Sequence, residues 1–455
     1  MKVGGKTSTK ITTTKSIFRT PKFSPDGKMI VYRKEGGNMQ QGYTHSKKAG
    51  IYTMSANGDN VNFVTGTGEN PFFSKDGKRI FYNTGGYLFG GKNKSLQSVD
   101  LSGNDNKTHF KSEYTNQWSL SPDNEWLAFS ELYKVYIVPF PKTGKPVNLS
   151  AKIKAVPVSQ IARDAGINLH WSKDSKKVMW TLGDEYFSTT LRERFMFLEN
   201  AADSIPPLDT AGIKIGLNLK TDKPEGVTVF QNARIITMKG DEVIENGTII
   251  ITGNKISYVG DGANIKIDKS ANIIDANGKT IMPGIVDVHA HIGNFRYGLS
   301  PKKQWEYYAN LAYGVTTVHD PSSNSEMIFS HAEAVKAGNM VGPRIHSTGV
   351  ILYGADGDFK AVVNNLDDAQ SALRRTAAYG AFSVKSYNQP RREQRQQIME
   401  AARQQNIMVV PEGGSFFYHN MSMILDGHTG QEHNIPVAPL YNDVVQLWSN
   451  SKTGY

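Results

Sequence analysis

The sequence contains no cysteine. Disulfides and thiolate ligands are therefore excluded, and the redox compartment is left open. No apolar run approaches the ~20 residues a bilayer-spanning helix requires. The amino terminus is rich in Lys and Thr and lacks an apolar core, so no signal peptide is visible in it. No Gly-x-Ser-x-Gly occurs anywhere, which removes the nucleophile elbow that a propeller-bearing serine peptidase would need. Acidic residues are the scarcer charge, 42 against 52 Lys+Arg. Most of the excess lies in the first sixty residues, which hold 11 basic and 3 acidic side chains. No nucleic-acid-binding motif accompanies them, so the skew reads as a solvated face. Gly-Gly-Lys-Thr at 4–7 has no leading strand and no glycine at the distance a phosphate loop needs.

What is present begins with a repeat. Phe23-Ser-Pro-Asp-Gly, Phe73-Ser-Lys-Asp-Gly, Leu120-Ser-Pro-Asp-Asn and Trp171-Ser-Lys-Asp-Ser recur with a period near fifty. Each copy precedes an alternating run: Met29-Ile-Val-Tyr, Arg79-Ile-Phe-Tyr, Trp126-Leu-Ala-Phe and Lys177-Val-Met-Trp. Asp-Gly supplies a tight turn, because Gly accepts positive φ and Asp bonds the local backbone. Several strands per fifty-residue unit predict β-propeller blades over residues 1–190, with an open β-repeat or sandwich as the alternative. The Ser-Pro-Asp-Gly copies resemble TolB-like, WD-like propeller repeats. The Ser and Asp of these turns read as structural.

Residues 191–226 lose this pattern and read as a linker, with Ile205-Pro-Pro and Lys223-Pro inside it. Alternation returns at Val227, and residues 227–283 are predicted to form part of a small β-sandwich. Asn246-Gly, Gly253-Asn and Asp261-Gly are its expected turns.

Ile281-Met-Pro-Gly-Ile-Val-Asp-Val-His-Ala-His-Ile-Gly then ends an apolar run in two histidines at i, i+2. On a strand these share a face, and two imidazoles on one rigid element form half a metal site. Alone, such a pair is more often two strand histidines with ordinary polar partners. Strands and helical stretches alternate beyond it, the pattern of a parallel α/β fold. Six strands are predicted, at 284–291, 315–319, 344–350, 381–385, 407–411 and 429–433. His289, His291, Lys385, Glu412 and His433 all fall at strand ends, where chemistry gathers in (β/α)8 barrels.

The stretch from Pro283 resembles the first barrel strand of the amidohydrolase superfamily, of the imidazolonepropionase and prolidase kind. The resemblance continues through Gly-Val-Thr-Thr-Val-His-Asp at 314–320, Gly-Pro-Arg-Ile at 342–345, Val-Lys-Ser-Tyr at 384–387 and Gly-His-Thr-Gly-Gln-Glu-His at 427–433. It covers about half the chain and implies that residues 284–455 are the first six units of a TIM-type (β/α)8 barrel. It also implies a metal set of His289, His291, Lys385, Glu412 and His433, with Lys385 a carboxylated bridge between two ions. Glu412 stands where many members carry histidine, and an oxygen ligand shifts preference from zinc towards manganese or magnesium. His319 and His346 read as packing or substrate-side residues, and His428 as turn-forming.

The implied activity is metal-dependent hydrolysis of carbon–nitrogen bonds other than peptide bonds, by one or two divalent ions, zinc first among them. The substrate would be a small or short peptide-like molecule; no nucleic acid and no membrane span are expected, and an oligomer is compatible with the reading. The alternative is a non-catalytic propeller scaffold with a degenerate barrel. The resemblance points to a periplasmic or secreted setting. From Ile281 to Tyr455 there are 175 residues, enough for about six of the roughly thirty-residue units of a barrel. The chain is thus expected to be a fragment, with the strand-eight Asp that would act as catalytic base beyond Tyr455. Alone it is expected to bind metal weakly and show no turnover.

Overall fold

The computed structural model describes all residues except 1–7, 37–46, 86–90, 217, 219, 264, 294–299, 358 and 415. Gly4 to Thr7 therefore lie outside the described residues. The chain divides into two compact units. The first comprises residues 1–215 together with 352–378 and 389–401; the second comprises 216–351, 379–388 and 402–455.

In the first unit the four repeat copies enter four separate sheets, antiparallel except where Val147–Asn148 pairs in parallel with Lys107–Ser112. The first contains Phe18–Phe23, Met29–Lys34, Gly50–Ser55 and Asn62–Thr65, in that order. The second is built on Glu69–Phe73, Arg79–Thr84, Lys94–Asp100 and Lys107–Ser112, and the third on Thr115–Leu120, Trp126–Glu131 and Lys134–Pro139. Ile167–Trp171, Lys177–Leu182, Glu185–Thr190 and Ile213–Lys214 make the fourth.

The repeat motif forms the first hairpin turn of each sheet. Ser24, Ser74, Ser121 and Ser172 donate through Oγ to Oδ1 of Asp26, Asp76, Asp123 and Asp174, at 2.5–2.6 Å. Each serine Oγ also accepts the backbone N–H five residues on, at 2.9–3.0 Å. The serine hydroxyl thus holds the carboxylate on one side and the returning strand on the other. These bonds, with those from the backbone two residues on, hold the carboxyls of Asp26, Asp76 and Asp174 below the usual range. Gly27 and Gly77 take positive φ in the turn, and Asn124 and Ser175 adopt the same left-handed conformation in the other copies.

The first three sheets share cores in succession. Val31, Ile51 and Val64 of the first meet Phe73, Ile80, Tyr82 and Val99 of the second. Phe81, Leu96 and Phe110 then meet Leu127, Phe129 and Val138 of the third. Between the third and fourth, the Trp171 indole donates to Ser119 O at 2.8 Å, and Asp123 N–H donates to Ser175 Oγ at 3.0 Å.

The second unit opens with one five-stranded sheet. Val227–Ile236, Val243–Thr252 and Lys255–Asp261 are antiparallel, while Asn272–Asp275 and Thr280–Ile281 run parallel to Val227–Ile236. Asn246-Gly is not a turn. Gly247 lies within a strand opposite Ala233, because the Ile235 side chain packs over it and a Cβ there would sit 2.4 Å from Ile235 Cδ1.

Parallel βα units follow. Ile285–Asp287, Val315–Asp320 and Arg344–Ser347 form a three-stranded sheet, with helices Trp305–Ala312 and Ser325–Lys336 between successive strands. Ser383–Ser386 and Met408–Pro411 form a separate parallel pair. Instead of the six strands expected, there are five in two open sheets among the described residues. Residues 429–433 form no strand: Gly430 makes an isolated bridge to Gly454, and His433 is left-handed at φ 65°, which breaks extension. Among the described residues no helix is long and apolar enough to cross a membrane.

Ser121 is 1% exposed, so Ser121→Ala would leave the Trp126 N–H and the Asp123 carboxylate short of a buried partner. The expected cost is about 1–3 kcal/mol. It should appear as a lower urea midpoint for the first unit at unchanged slope; an unchanged midpoint would remove the structural role of the motif.

Candidate functional site

The five residues singled out in the sequence all belong to the second unit, and their side chains form one connected cluster. Strand Ile285–Asp287 stops short of the histidine pair, because the Asp287 carboxylate accepts His289 N–H at 3.0 Å and turns the chain. Alternation nevertheless persists. Ala290 and Ile292 are buried in a core with Tyr307, Val318 and Ile328, so His289 and His291 project the other way. Their ring centroids lie 5.1 Å apart, edge to face. The backbone here is pinned by Ala290 N–H on His319 O at 2.9 Å and by Ile292 N–H on Asp320 Oδ2 at 3.3 Å.

Lys385 and Glu412 come from the paired parallel strands. Lys385 lies within Ser383–Ser386 and is 1% exposed. Glu412 directly follows Met408–Pro411, and its N–H donates to Ser386 O at 2.8 Å. The two side chains meet at 2.6 Å, Lys385 Nζ on Glu412 Oε2. The other carboxylate oxygen accepts from His433 Nε2, also at 2.6 Å. The His433 ring stands 5.2 Å from that of His289. Glu412 is therefore shared between a buried ammonium and an imidazole.

Backbone conformation brings the last histidine in. Gly413 lets residues 432–433 lie against it, since a Cβ at 413 would sit 1.9 Å from Glu432 O. His433 turns back over Glu412 with a positive φ, an uncommon conformation for a residue with a Cβ. Strained backbone of this kind clusters at functional sites.

Two further carboxylates belong to the cluster, and no role was read for them in the sequence. Glu432 contacts His289 Nδ1 through Oε2. Asp320, 1% exposed, lies 3.7 Å from His291 Nδ1 and raises the pKa of that imidazole. The available signal was an acid next to an imidazole in each quoted motif, His319-Asp320 and Glu432-His433.

His319, His346 and His428 are engaged elsewhere in the fold. His319 shares a 2.8 Å hydrogen bond with Ser383 Oγ, and burial lowers its pKa. His346 packs edge-on against Phe382, and its pKa is likewise lowered by burial. His428 is 3% exposed and binds Met423 O through both its N–H and Nδ1, closing helix Phe417–Leu425 as a turn residue.

Chemically the cluster offers three imidazoles and three carboxylates around a lysine. These donor types suit a divalent cation. As arranged, the polar atoms are turned on one another: among the described residues no three His, Asp or Glu form a ready group for an ion. The Lys385 ammonium occupies the cationic position beside Glu412.

No protein-family model matches the chain. Among curated proteins it is similar to an imidazolonepropionase of Alkaliphilus metalliredigens (strain QYMF), 40% identical over 14% of this chain and 19% of that enzyme. It is also similar to a 5-methylthioadenosine/S-adenosylhomocysteine deaminase of Bacillus thuringiensis (strain Al Hakam), 41% identical over 14% of this chain and 15% of that enzyme. The matches thus span less than a fifth of these curated relatives. A solved Xaa-Pro dipeptidase with bound methionine in the active site is 23% identical, with a TM-score of 0.40, over 50% of this chain and 66% of that one. The sequence similarity, over about a seventh of the chain, is to an imidazolonepropionase and a deaminase.

Proposed function

We propose that the chain carries the metal site of a hydrolase acting on carbon–nitrogen bonds other than peptide bonds. The observation that carries this reading is the run of contacts from the buried Lys385 through Glu412 and His433 to His289 and His291. Similarity to an imidazolonepropionase and a deaminase supports the reaction class. The substrate in this reading is a small amide or cyclic amide.

His289, His291, His433 and Glu412 would hold the cation. A divalent ion supplies carbonyl polarisation and an acidified water when bound. Glu432 beside His289 Nδ1 and Asp320 beside His291 Nδ1 keep the proton on those nitrogens, which leaves each Nε2 as the donor atom. Glu412 is positioned by Lys385 and contacts His433 Nε2 through its other oxygen. A carbamate on Lys385 would replace the cation–anion contact with Glu412 by two anions side by side, an arrangement that needs metal between them. The expected zinc preference, a pair of ions and carboxylation of Lys385 all belong to this proposal.

A second reading has an observation of its own. The Lys385–Glu412–His433 contacts also make a complete structural ion network, as a scaffold with no chemistry would have. Zinc or manganese titration of the full chain separates the two. His289→Ala should weaken the metal by more than the roughly 10–100-fold typical of lost supporting partners. Equal uptake by wild type and His289→Ala would end the metal reading.

Gly413→Ala tests the same site through the backbone. The new methyl would displace residues 432–433, so metal affinity should fall about tenfold or more while far-UV circular dichroism is unchanged. Unaltered affinity would show that His433 is not a ligand.

A further inference from the structure

The first unit holds a cavity of about 1190 Å³ that has no part in the cluster above, and all its lining residues belong to that unit. Small-molecule sites run to about 300–1,000 Å³, so it is large for one. One stretch of its wall is built differently from the rest. The repeat sheets and helix Leu366–Ala377 supply much of the lining, but Gly354, Lys360 and Ala361 come from a loop after strand Arg344–Ser347.

That loop closes on itself. Ala361 N–H donates to Tyr353 O at 2.8 Å, Lys360 N–H donates to Gly357 O at 3.1 Å, and Tyr353 and Lys360 form an isolated bridge. A compact surface loop whose ends meet in this way is an Ω-loop, a form that often carries function. Its ends are fixed in buried structure: Leu352 is 0% exposed and Ala361 2%. Gln389 grips the first end, donating to Leu352 O at 2.6 Å and accepting Gly354 N–H at 2.8 Å.

The tip is held by contacts of another kind. The Asp356 carboxylate accepts from Lys92 Nζ, from the Tyr114 hydroxyl and, at 3.2 Å, from Lys360 Nζ. Lys92 precedes strand Lys94–Asp100 and Tyr114 precedes strand Thr115–Leu120, so Asp356 is met from the second and third sheets. The Lys92 and Lys360 ammoniums also stand over the Tyr114 ring, 5.4 and 5.3 Å from its centre. Lys92 and Tyr114 line the cavity themselves, so the tip meets its opposite rim. The Asp356 side chain is 58% exposed, while Gly354 and Lys360 on either side of it face the cavity. The loop thus lies between cavity and solvent.

Exposed ion pairs are weak and are screened by salt, whereas buried anchors are not. Firm ends and a tip latched by exposed charge are the parts of a flap that opens and recloses. We propose that the loop from Tyr353 to Ala361 is a lid on this cavity, latched at Asp356 by Lys92, Lys360 and Tyr114. The inference does not rest on the metal reading of the second unit. The hydrogen bonds from Lys92 and Tyr114 hold the Asp356 carboxyl well below its usual range, so the latch stays charged at neutral pH and salt is its lever.

The chain contains no cysteine, so a single introduced thiol reports alone. Ala372 lines the cavity and is 6% exposed, and Ala372→Cys puts a thiol on its wall. Maleimide labelling of this variant should quicken about three- to tenfold when Asp356→Ala is added, the loss of a cluster of exposed ion pairs. Raising salt from about 0.1 M to about 1 M shortens the screening length from about 10 Å to about 3 Å and should also quicken labelling. It should add little once Asp356→Ala is present. Ser150→Cys, on the same wall, repeats the reading at a second position. Ala233→Cys, fully buried in the second unit, should stay slow throughout and controls for general loosening. Rates unchanged by Asp356→Ala, a salt effect undiminished in that variant, or equal acceleration at Ala233→Cys would each overturn the proposal.

Discussion

A lysine ammonium withdrawn from water must be answered by a carboxylate, or it gives up its charge. Lys385 is almost fully buried, and Glu412 answers it. The rest of the cluster follows from that pair. With one oxygen engaged by Lys385, the other is free to take His433, and His433 reaches it by means of the glycine beside Glu412 and a left-handed backbone. The network fixes where the imidazoles stand relative to the strand ends.

The metal reading therefore amounts to a competition for Glu412. In the proposed reading an incoming cation would have to displace the buried Lys385 ammonium from Glu412, while His291 and His433 stand open to solvent. In that reading Glu432 contacts His289 Nδ1 and Asp320 lies near His291 Nδ1, so each Nε2 would be the nitrogen offered to an ion.

Legibility from sequence was uneven, for physical reasons. The Ser-x-Asp turns were visible because their hydrogen bonds are local: Ser121 reaches Asp123 and Trp126, and nothing distant is needed. Alternation of His289 and His291 was visible for the same reason, even though the hydrogen-bonded strand ends before them. The partnership of Asp320 with His291 spans 29 residues, and that of Glu432 with His289 spans 143. Neither separation has a periodic signature. The sixth strand failed because propensity does not register the positive φ at His433, which is imposed by contacts. Asn246-Gly failed through packing: the glycine makes room for Ile235 and is not there to turn the chain.

The cores shared between successive sheets have a bearing on cooperativity. Phe81 and Phe129 belong to different sheets but to one buried cluster, while each Ser-x-Asp hydrogen bond is made within its own copy. Such a unit is coupled between nearest neighbours, like beads on a string with sticky contacts. A defect in one sheet is then felt first by the sheets flanking it and fades with distance along the repeat. Amide protection should fall off in steps from the damaged sheet, and partly unfolded forms should begin at a sheet with the fewest shared contacts.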